Sequence, residues 1–448
     1  MGPMGGFSKF ANNRTKVINM TYHDTVNYLY SLLPAFHRIG KPAYKGNLDN
    51  THELDSYFGH PHRRFRSVHV AGTNGKGSVS HMIASVLHEA GYSTGLYTSP
   101  HLKDFRERIR INGRMIGEED VISFVKEHDG VIRSVQPSFF ELTVAMAFDY
   151  FERMKVDVAV IEVGMGGRLD STNIITPELS VITNIGHDHM EFLGDTLVAV
   201  AGEKAGIIKE GVPVVIGETQ PGIRNVFRDR AAMMNAPLAF ADKLFRCTLG
   251  KSYKNTAGRS FTVTDLRDGG AMSGTTPLGG LAQKKNIQTV AAAVDALSAS
   301  FGLGREHFLN GIAGVVAGTG LMGRWQVLSR SPLIVCDTGH NREGLEYVVR
   351  QIKTTPKNAL HMVVGFVSDK DLSSVLPLFP RDARYYFTRA SVPRALDEKV
   401  LMTEGRRYGL SGSCHSTVAD AVAAALAAAG PKDMIFIGGS TFVVADAL

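Results

Sequence analysis

The 448-residue chain is 44% hydrophobic and 21% charged, a globular composition on a length too great for one compact core, so two domains are expected. No apolar run approaches the roughly 20 residues of a membrane helix, and the three widely spaced cysteines, Cys247, Cys336 and Cys414, argue against a disulfide framework or a cysteine-based zinc site and for a reducing, cytoplasmic setting. A net charge of +6 and a pI near 9.1 come without a dense Lys/Arg block, which suits small acidic substrates at least as well as nucleic acid, and no nucleic-acid or membrane partner is expected.

Residues 1–20 are polar, lack the apolar core of a secretory signal and read as a tail outside the fold. Thr21 to Leu54 has a helical pattern with Tyr28, Leu29, Leu32 and Leu33 as a packing stripe. Arg66 to Ala71 reads as a short buried strand and runs into the stretch His69 to Ser80, which has the makings of a phosphate cradle. Gly72 and Gly75 let successive backbone N–H groups turn inward on an anion, Lys76 adds a point charge, and the helix that follows presents its positive end. The stretch departs twice from G-x-x-x-x-G-K-[ST]: Val70 holds the first glycine position, and Gly77 stands between Lys76 and Ser78. Val79, Met82, Ile83, Val86 and Leu87 recur at helical spacing up to Gly91, and Ser93 to Thr98 reads as the next strand.

Ser99 and His101 follow that strand, where α/β sheets bind ligands, although Ser-Pro is also ordinary loop punctuation. Phe105 to Gly113 alternates charge with apolar residues and reads as a solvated face. After a helix over Phe139 to Phe151, the apolar strand Val156 to Val163 ends on Glu162, a carboxylate placed as in a Walker-B magnesium site. A second glycine-rich loop, Gly164 to Asn173, follows. The strand Leu179 to Thr183 runs into His187-Asp188-His189, which are either hydrogen-bonded loop residues or metal ligands. Lys204 is electrostatically odd beside a metal site unless its charge is altered.

The strand Val212 to Gly217, a β-insert over Phe245 to Pro277 and an Ala-rich helix over Asn286 to Leu297 complete the first unit. Glycines cluster from Ala317 to Trp325 and the pattern resets there. Apolar runs at Leu333 to Cys336, His361 to Val367, Arg384 to Phe387 and Met434 to Ile437, with helical stretches Arg342 to Ile352 and Val418 to Ala429, describe a second, smaller α/β sheet. Its polar strand ends are Asp337 to Asn341 and Ser368 to Asp371. The expected division is a tail over 1–20, a P-loop-type α/β domain over 21–320 with an insert near 245–280, and a Rossmann-like α/β domain over 321–448.

In order, the elements His-Val-Ala-Gly-Thr-Asn-Gly-Lys-Gly-Ser, Thr-Ser-Pro-His-Leu, Glu-Arg-Ile, Phe-Glu-Leu-Thr, Glu-Val-Gly-Met-Gly-Gly-Arg-Leu-Asp-Ser-Thr-Asn, Asp-His, Glu-Lys-Ala-Gly-Ile, Gly-Arg-Trp and Asp-x-x-His-Asn resemble folylpolyglutamate synthase, including the bifunctional bacterial dihydrofolate synthases, of the Mur ligase superfamily. The resemblance implies an ATP-dependent amide ligase: a folate-type carboxylate is converted to an acyl phosphate, which the amino group of L-glutamate displaces. By motif it implies a nucleotide cradle of Gly72, Thr73, Asn74, Gly75, Lys76, Gly77 and Ser78, with Asn286 on the nucleotide side. It further implies magnesium ligation by Ser99, Glu162 and His189, a carbamylated Lys204, Arg324 and Asp337 approaching ATP, and His340 near glutamate.

The implied partners are ATP, L-glutamate, and folate or dihydropteroate, acting on a monomer; a potassium-like ion is left open. Ala282, Met322 and Arg342 stand where histidine, proline and proline are common in the family. Gly77-Ser78 sets the loop apart from the Gly-Lys-Thr of cell-wall Mur ligases. The competing readings are a Mur-type ligase of a nucleotide-linked peptide and an ATP-binding regulator without catalysis.

Overall fold

The computed structural model describes residues 20–34, 46–187, 190–252 and 258–448; the residues 1–19 of the expected tail, and His189, lie outside the described residues. Eight strands form the first sheet: β1 (Arg66–Ala71), β2 (Thr94–Tyr97), β3 (Ile109–Ile111), β4 (Arg114–Met115), β5 (Val158–Glu162), β6 (Leu179–Ile182), β7 (Val214–Ile216) and β8 (Leu238–Phe240). Their order is β4-β3-β2-β5-β1-β6-β7-β8, with every pair from β2 to β8 parallel and the β3 and β4 edge antiparallel. Parallel strands covered on both faces are near-continuously apolar, and β5 and β6 are buried at every position, with Glu162 and Ser180 their polar exceptions.

The helix Lys76–Glu89 covers one face, and its apolar positions Val79, Met82, Ile83, Val86 and Leu87 are all buried as the spacing predicts. It packs against Gln283–Phe301 and Arg305–Thr319, where Gly311 allows close approach: a Cβ there would lie 2.6 Å from Val86 Cγ2. The insert is a three-stranded antiparallel sheet of β9 (Phe245–Ser252), β10 (Arg259–Asp265) and β11 (Ala271–Thr276). It is less peripheral than its composition implies, because Phe245, Cys247, Phe261 and Val263 join the core beneath those helices.

Helices Glu118–Val135 and Phe139–Arg153 cover the other face; Ser138 and Glu141 cap the second reciprocally. The Thr21–Leu54 pattern resolves into helices Tyr22–Leu32 and Asp49–Tyr57, with Leu29 and Leu33 buried but Leu32 exposed. The run Phe105 to Gly113 is not a solvated face: Arg108 and Arg110 are 3% and 7% exposed. A 3₁₀ turn and two short strands replace the continuous alternation, turning both arginines inward.

Arg305–Thr319 ends at Gly320 in the left-handed conformation, and the chain then enters the second sheet. Its strands are β12 (Gln326–Arg330), β13 (Leu333–Asp337), β14 (Leu360–Val364), β15 (Arg384–Thr388), β16 (Ser411–His415) and β17 (Met434–Gly438). The order β12-β13-β17-β14-β15-β16 is parallel apart from the β12 edge. Gln351 on the helix Arg342–Thr354 bridges back to the first domain, donating to the Gly279 carbonyl at 2.9 Å and accepting from the Leu281 amide at 2.7 Å.

Candidate active site

Strand β1 lies between β5 and β6, in a register that sets Val70 beside Glu162 and Ala71 beside Ile182, so three strand ends open on one edge. The cradle leaves β1 there. Gly72 and Gly75 have φ of 141° and 87°, conformations that side-chain-bearing residues rarely adopt. Space forbids a side chain as well: a Cβ would lie 1.9 Å from Thr183 Oγ1 at Gly72 and 2.4 Å from Asn286 Oδ1 at Gly75.

The end of β6 holds the loop in shape. Thr73 and Asn74 donate their backbone N–H to the carbonyl and Oδ1 of Asn184, both at 2.9 Å, and Thr183 Oγ1 donates to the Asn74 carbonyl at 2.7 Å. Lys76 opens the helix and donates Nζ to the Gly72 and Thr73 carbonyls at 3.0 and 3.3 Å, and Ser78 is buried in the first turn. Asn74 Nδ2 is a buried donor with no protein partner, so the cradle holds unused capacity for an anion.

Glu162 is 4% exposed at the end of β5 and accepts from the Ser99 amide at 3.3 Å. Burial pushes its carboxyl up to about 7, against the opposing pull of Lys76, the Ser99 amide, Arg324 and Arg108. An under-compensated carboxylate beside a phosphate cradle fits a divalent cation. Among the described residues no group of three His, Cys, Asp or Glu side chains is gathered, so any such site draws on other donors as well.

Lys204, at the end of the helix Leu197–Ala205, is 4% exposed and donates Nζ to the Gly72 carbonyl at 3.0 Å. The second glycine-rich loop is organised by Asp170, which accepts from the Met165 and Thr172 amides at 2.9 and 3.0 Å and from Thr172 Oγ1 at 2.5 Å.

The second domain closes the site. Arg324 bonds Thr338 Oγ1 and reaches Gly77, where a Cβ would lie 3.3 Å from Nη2. Asp337 accepts from the Trp325 amide at 2.7 Å and the Gly339 amide at 2.8 Å, so its carboxylate shapes the turn that aims Arg324. His340 donates Nδ1 to the Thr338 carbonyl at 3.0 Å and lines a cavity of about 880 Å³ between the domains, with Ser99, Arg108, Phe139, Asp170 and Ser440. Glu343 accepts from the His187 amide at 3.0 Å and packs on Gly186.

The predicted cradle, Ser99, Glu162, Lys204, Asn286 and Arg324 thus converge on one point, while His340 faces the cavity from the opposite wall. Four contributors were not read from the sequence: Thr183, Asn184, Glu343 and Arg108. Asn184 stood at a recognised strand end beside more conspicuous histidines, and Arg108 sat in a run that reads as surface.

A nucleotide-type loop on one α/β domain, facing an arginine and a histidine on a second, defines an ATP-dependent ligase of the Mur type. Residues 70–294 match the Mur ligase middle domain and residues 323–441 the Mur ligase glutamate ligase domain. The chain is 33% identical over 446 residues to a Bacillus subtilis dihydrofolate synthase/folylpolyglutamate synthase, covering 95% of this chain and 98% of that protein. The structure of Escherichia coli FolC in complex with DHPP and ADP superposes with a TM-score of 0.81 at 28% identity, covering 96% of this chain and 97% of that one. A bifunctional folylpolyglutamate synthase/dihydrofolate synthase with Mn, AMPPNP and L-glutamate bound superposes at 0.80 and 26% identity, covering 96% and 97%. The chain belongs to the dihydrofolate synthase/folylpolyglutamate synthase family, and is an ATP-dependent glutamate ligase.

Proposed function

We propose that the chain joins L-glutamate to the carboxylate of both dihydropteroate and a reduced folate, with ATP as phosphoryl donor and Mg²⁺ as the divalent cation. The observation that carries the ATP and cation part of this reading is Glu162: a buried carboxylate under-compensated by protein, next to the cradle and within reach of Arg324. The relatives support it, since one is named for both activities and two solved structures hold DHPP with ADP, and Mn with AMPPNP and L-glutamate.

In this reading the cradle Gly72 to Ser78 and Asn286 hold the nucleotide, and Ser99, Glu162 and His189 hold the cation. The cation, when bound, neutralises charge on the transferring phosphoryl group. An oxygen of the acceptor carboxylate attacks the γ-phosphorus and ADP leaves; the glutamate nitrogen then attacks the acyl carbon, inorganic phosphate departs and the amine loses a proton. Arg324 supplies positive charge from the second domain, Asp337 aims it, and His340 meets glutamate. Lys204 acts as a carbamate.

Arg108 receives the acceptor carboxylate: it is buried, lines the cavity and, although its charge acts on Glu162, makes no direct ion pair among the described residues. The units 21–320 and 321–448 act as one monomer in the cytoplasm; no described helix is long and apolar enough to cross a membrane.

The test supplies ATP, Mg²⁺ and L-glutamate with dihydropteroate, tetrahydrofolate or a nucleotide-linked peptide, and follows phosphate release. Release with both pteridine acceptors is expected. Release with only one of them overturns the dual-acceptor assignment, and release with the peptide alone overturns the folate reading.

A further inference from the structure

His101 stands out in the sequence, yet no role given above uses it. It lies on the loop between β2 and the 3₁₀ turn Phe105–Arg108, and its Nδ1 accepts from Arg108 Nε at 2.7 Å. A guanidinium does not give up its proton, so Nδ1 carries the lone pair and the ring proton sits on Nε2. There it donates to Tyr30 Oη, 3.1 Å away on the helix Tyr22–Leu32. The Tyr30 ring stacks on Phe139 with centroids 4.9 Å apart, and Phe139 in turn carries the Arg108 guanidinium 5.4 Å from its ring. Tyr30, His101, Arg108 and Phe139 therefore form a closed circuit of contacts.

The same helix grips the other end of the turn. Tyr22 Oη donates to Asp104 at 2.6 Å, and Asp104 both caps the turn and pairs with Arg106 at 2.7 Å. One helix thus fixes the segment that delivers Arg108 to the cavity. Nε is taken by His101 and the guanidinium also lies in hydrogen-bond range of the Tyr97 hydroxyl, so the remaining Nη N–H groups are what is left for an anionic ligand.

We infer that Tyr30 and His101 are positioning residues for the acceptor, holding Arg108 at the angle at which its guanidinium meets the acceptor carboxylate. This rests on the reading of Arg108 given above. The circuit holds Arg108 and touches no residue of the nucleotide cradle, so the contribution falls on acceptor binding and orientation rather than on ATP.

The experiment measures KM for dihydropteroate, KM for ATP and kcat in four variants, with thermal melting as a check on folding. His101→Leu removes the acceptor for Arg108, His101→Gln keeps a carbonyl oxygen within similar reach, Tyr30→Phe keeps the ring stack without the hydroxyl, and Arg108→Gln serves as reference. His101→Leu is expected to raise the dihydropteroate KM about ten-fold or more while the ATP KM stays within about two-fold, and His101→Gln to return to within about three-fold of the parent. Tyr30→Phe should fall between them, and decides the matter if His101→Leu does not fold.

Equal behaviour of His101→Leu and His101→Gln, or matching changes in both KM values, overturns the inference. If Arg108→Gln raises the dihydropteroate KM but His101→Leu and Tyr30→Phe do not, the positioning role alone falls. If Arg108→Gln leaves that KM unchanged, the reading of Arg108 falls and takes the inference with it.

Discussion

Arg324 crosses from the second domain to lie against Gly77, so closely that a Cβ on the glycine would stand 3.3 Å from Nη2 and 3.6 Å from Glu162 Oε2. The glycine is there for space and not for backbone freedom, since it sits in the first turn of a helix with no left-handed φ. Gly77→Ala should therefore leave stability unchanged or raise it, by up to about 1 kcal/mol from helix propensity. Turnover should fall by about ten-fold or more as the methyl group pushes Arg324 from its position. Melting temperature and steady-state phosphate release, measured on the same sample, check the two halves.

In the proposed reading, metal and proton compete for Glu162. Its carboxyl is raised from an ordinary 4.5 to about 7, so its contribution to stability is present below pH 4.5 and is lost as pH rises through 7. In chelator at pH 8, Glu162→Gln should be more stable than the parent by on the order of 3 kcal/mol. Adding Mg²⁺ and ATP should stabilise the parent and not the variant, and the variant should lose nearly all turnover. Melting curves across pH, with and without Mg²⁺, decide it.

Two buried histidines work in the opposite sense. Burial holds His69 and His81 down to about 3. His81 donates Nδ1 to Thr319 Oγ1 at 2.7 Å, because that hydroxyl is already donating to the Val315 carbonyl, and His69 donates Nε2 to Thr172 Oγ1 at 2.8 Å. With both values depressed, the stability they confer is present above the free-histidine value near 6.5 and is lost as pH falls from there towards 3. Each should cost about 2 kcal/mol between pH 6.5 and 5. His81→Asn, which keeps a donor but does not titrate in this range, should remove its share of the slope in urea titrations at pH 7 and pH 5.

Lys204 lies with Nζ 3.0 Å from the Gly72 carbonyl. A carbamate on that nitrogen retains one N–H, so the bond to Gly72 survives the modification while the charge reverses. The expected outcome is carbamate density at Lys204 in crystals grown with bicarbonate, and a loss of activity on bicarbonate depletion that returns on its readdition. Unmodified lysine in an active, bicarbonate-saturated enzyme would count against the carbamate. Lys204→Ala should lose activity in either case.

The parts of this molecule that could be read from the sequence are those where one physical requirement dominates. Buried parallel strands are near-continuously apolar, and β5, β6, β13 and β17 are visible for that reason, while β1, with Ser67 and His69 in it, shows instead as an alternating run. The edge strands β12 and β16 were not, since an edge with one wet face needs no apolar run: Ser411, Gly412 and Ser413 are all exposed. Glycines forced by geometry, as at Gly72 and Gly75, also announce the cradle. Arg108 could not be read in this way, because a charged residue turned inward by a 3₁₀ turn has the same spelling as one facing water. The role of Asn184 was hidden for another reason: its Oδ1 and carbonyl meet backbone amides of the cradle, which leave no trace in residue type.

The one tryptophan of the chain follows Arg324 directly. Trp325 is 6% exposed, belongs to the core of the second domain, and its Cβ lies 3.4 Å from where a Cβ on Gly280 of the first domain would stand. The protein thus carries its own fluorophore at the joint, adjacent to the residue that crosses it. Any parting of the domains that wets the indole would shift its emission to the red, so opening and closing can be timed by stopped-flow fluorescence in the unlabelled wild-type enzyme.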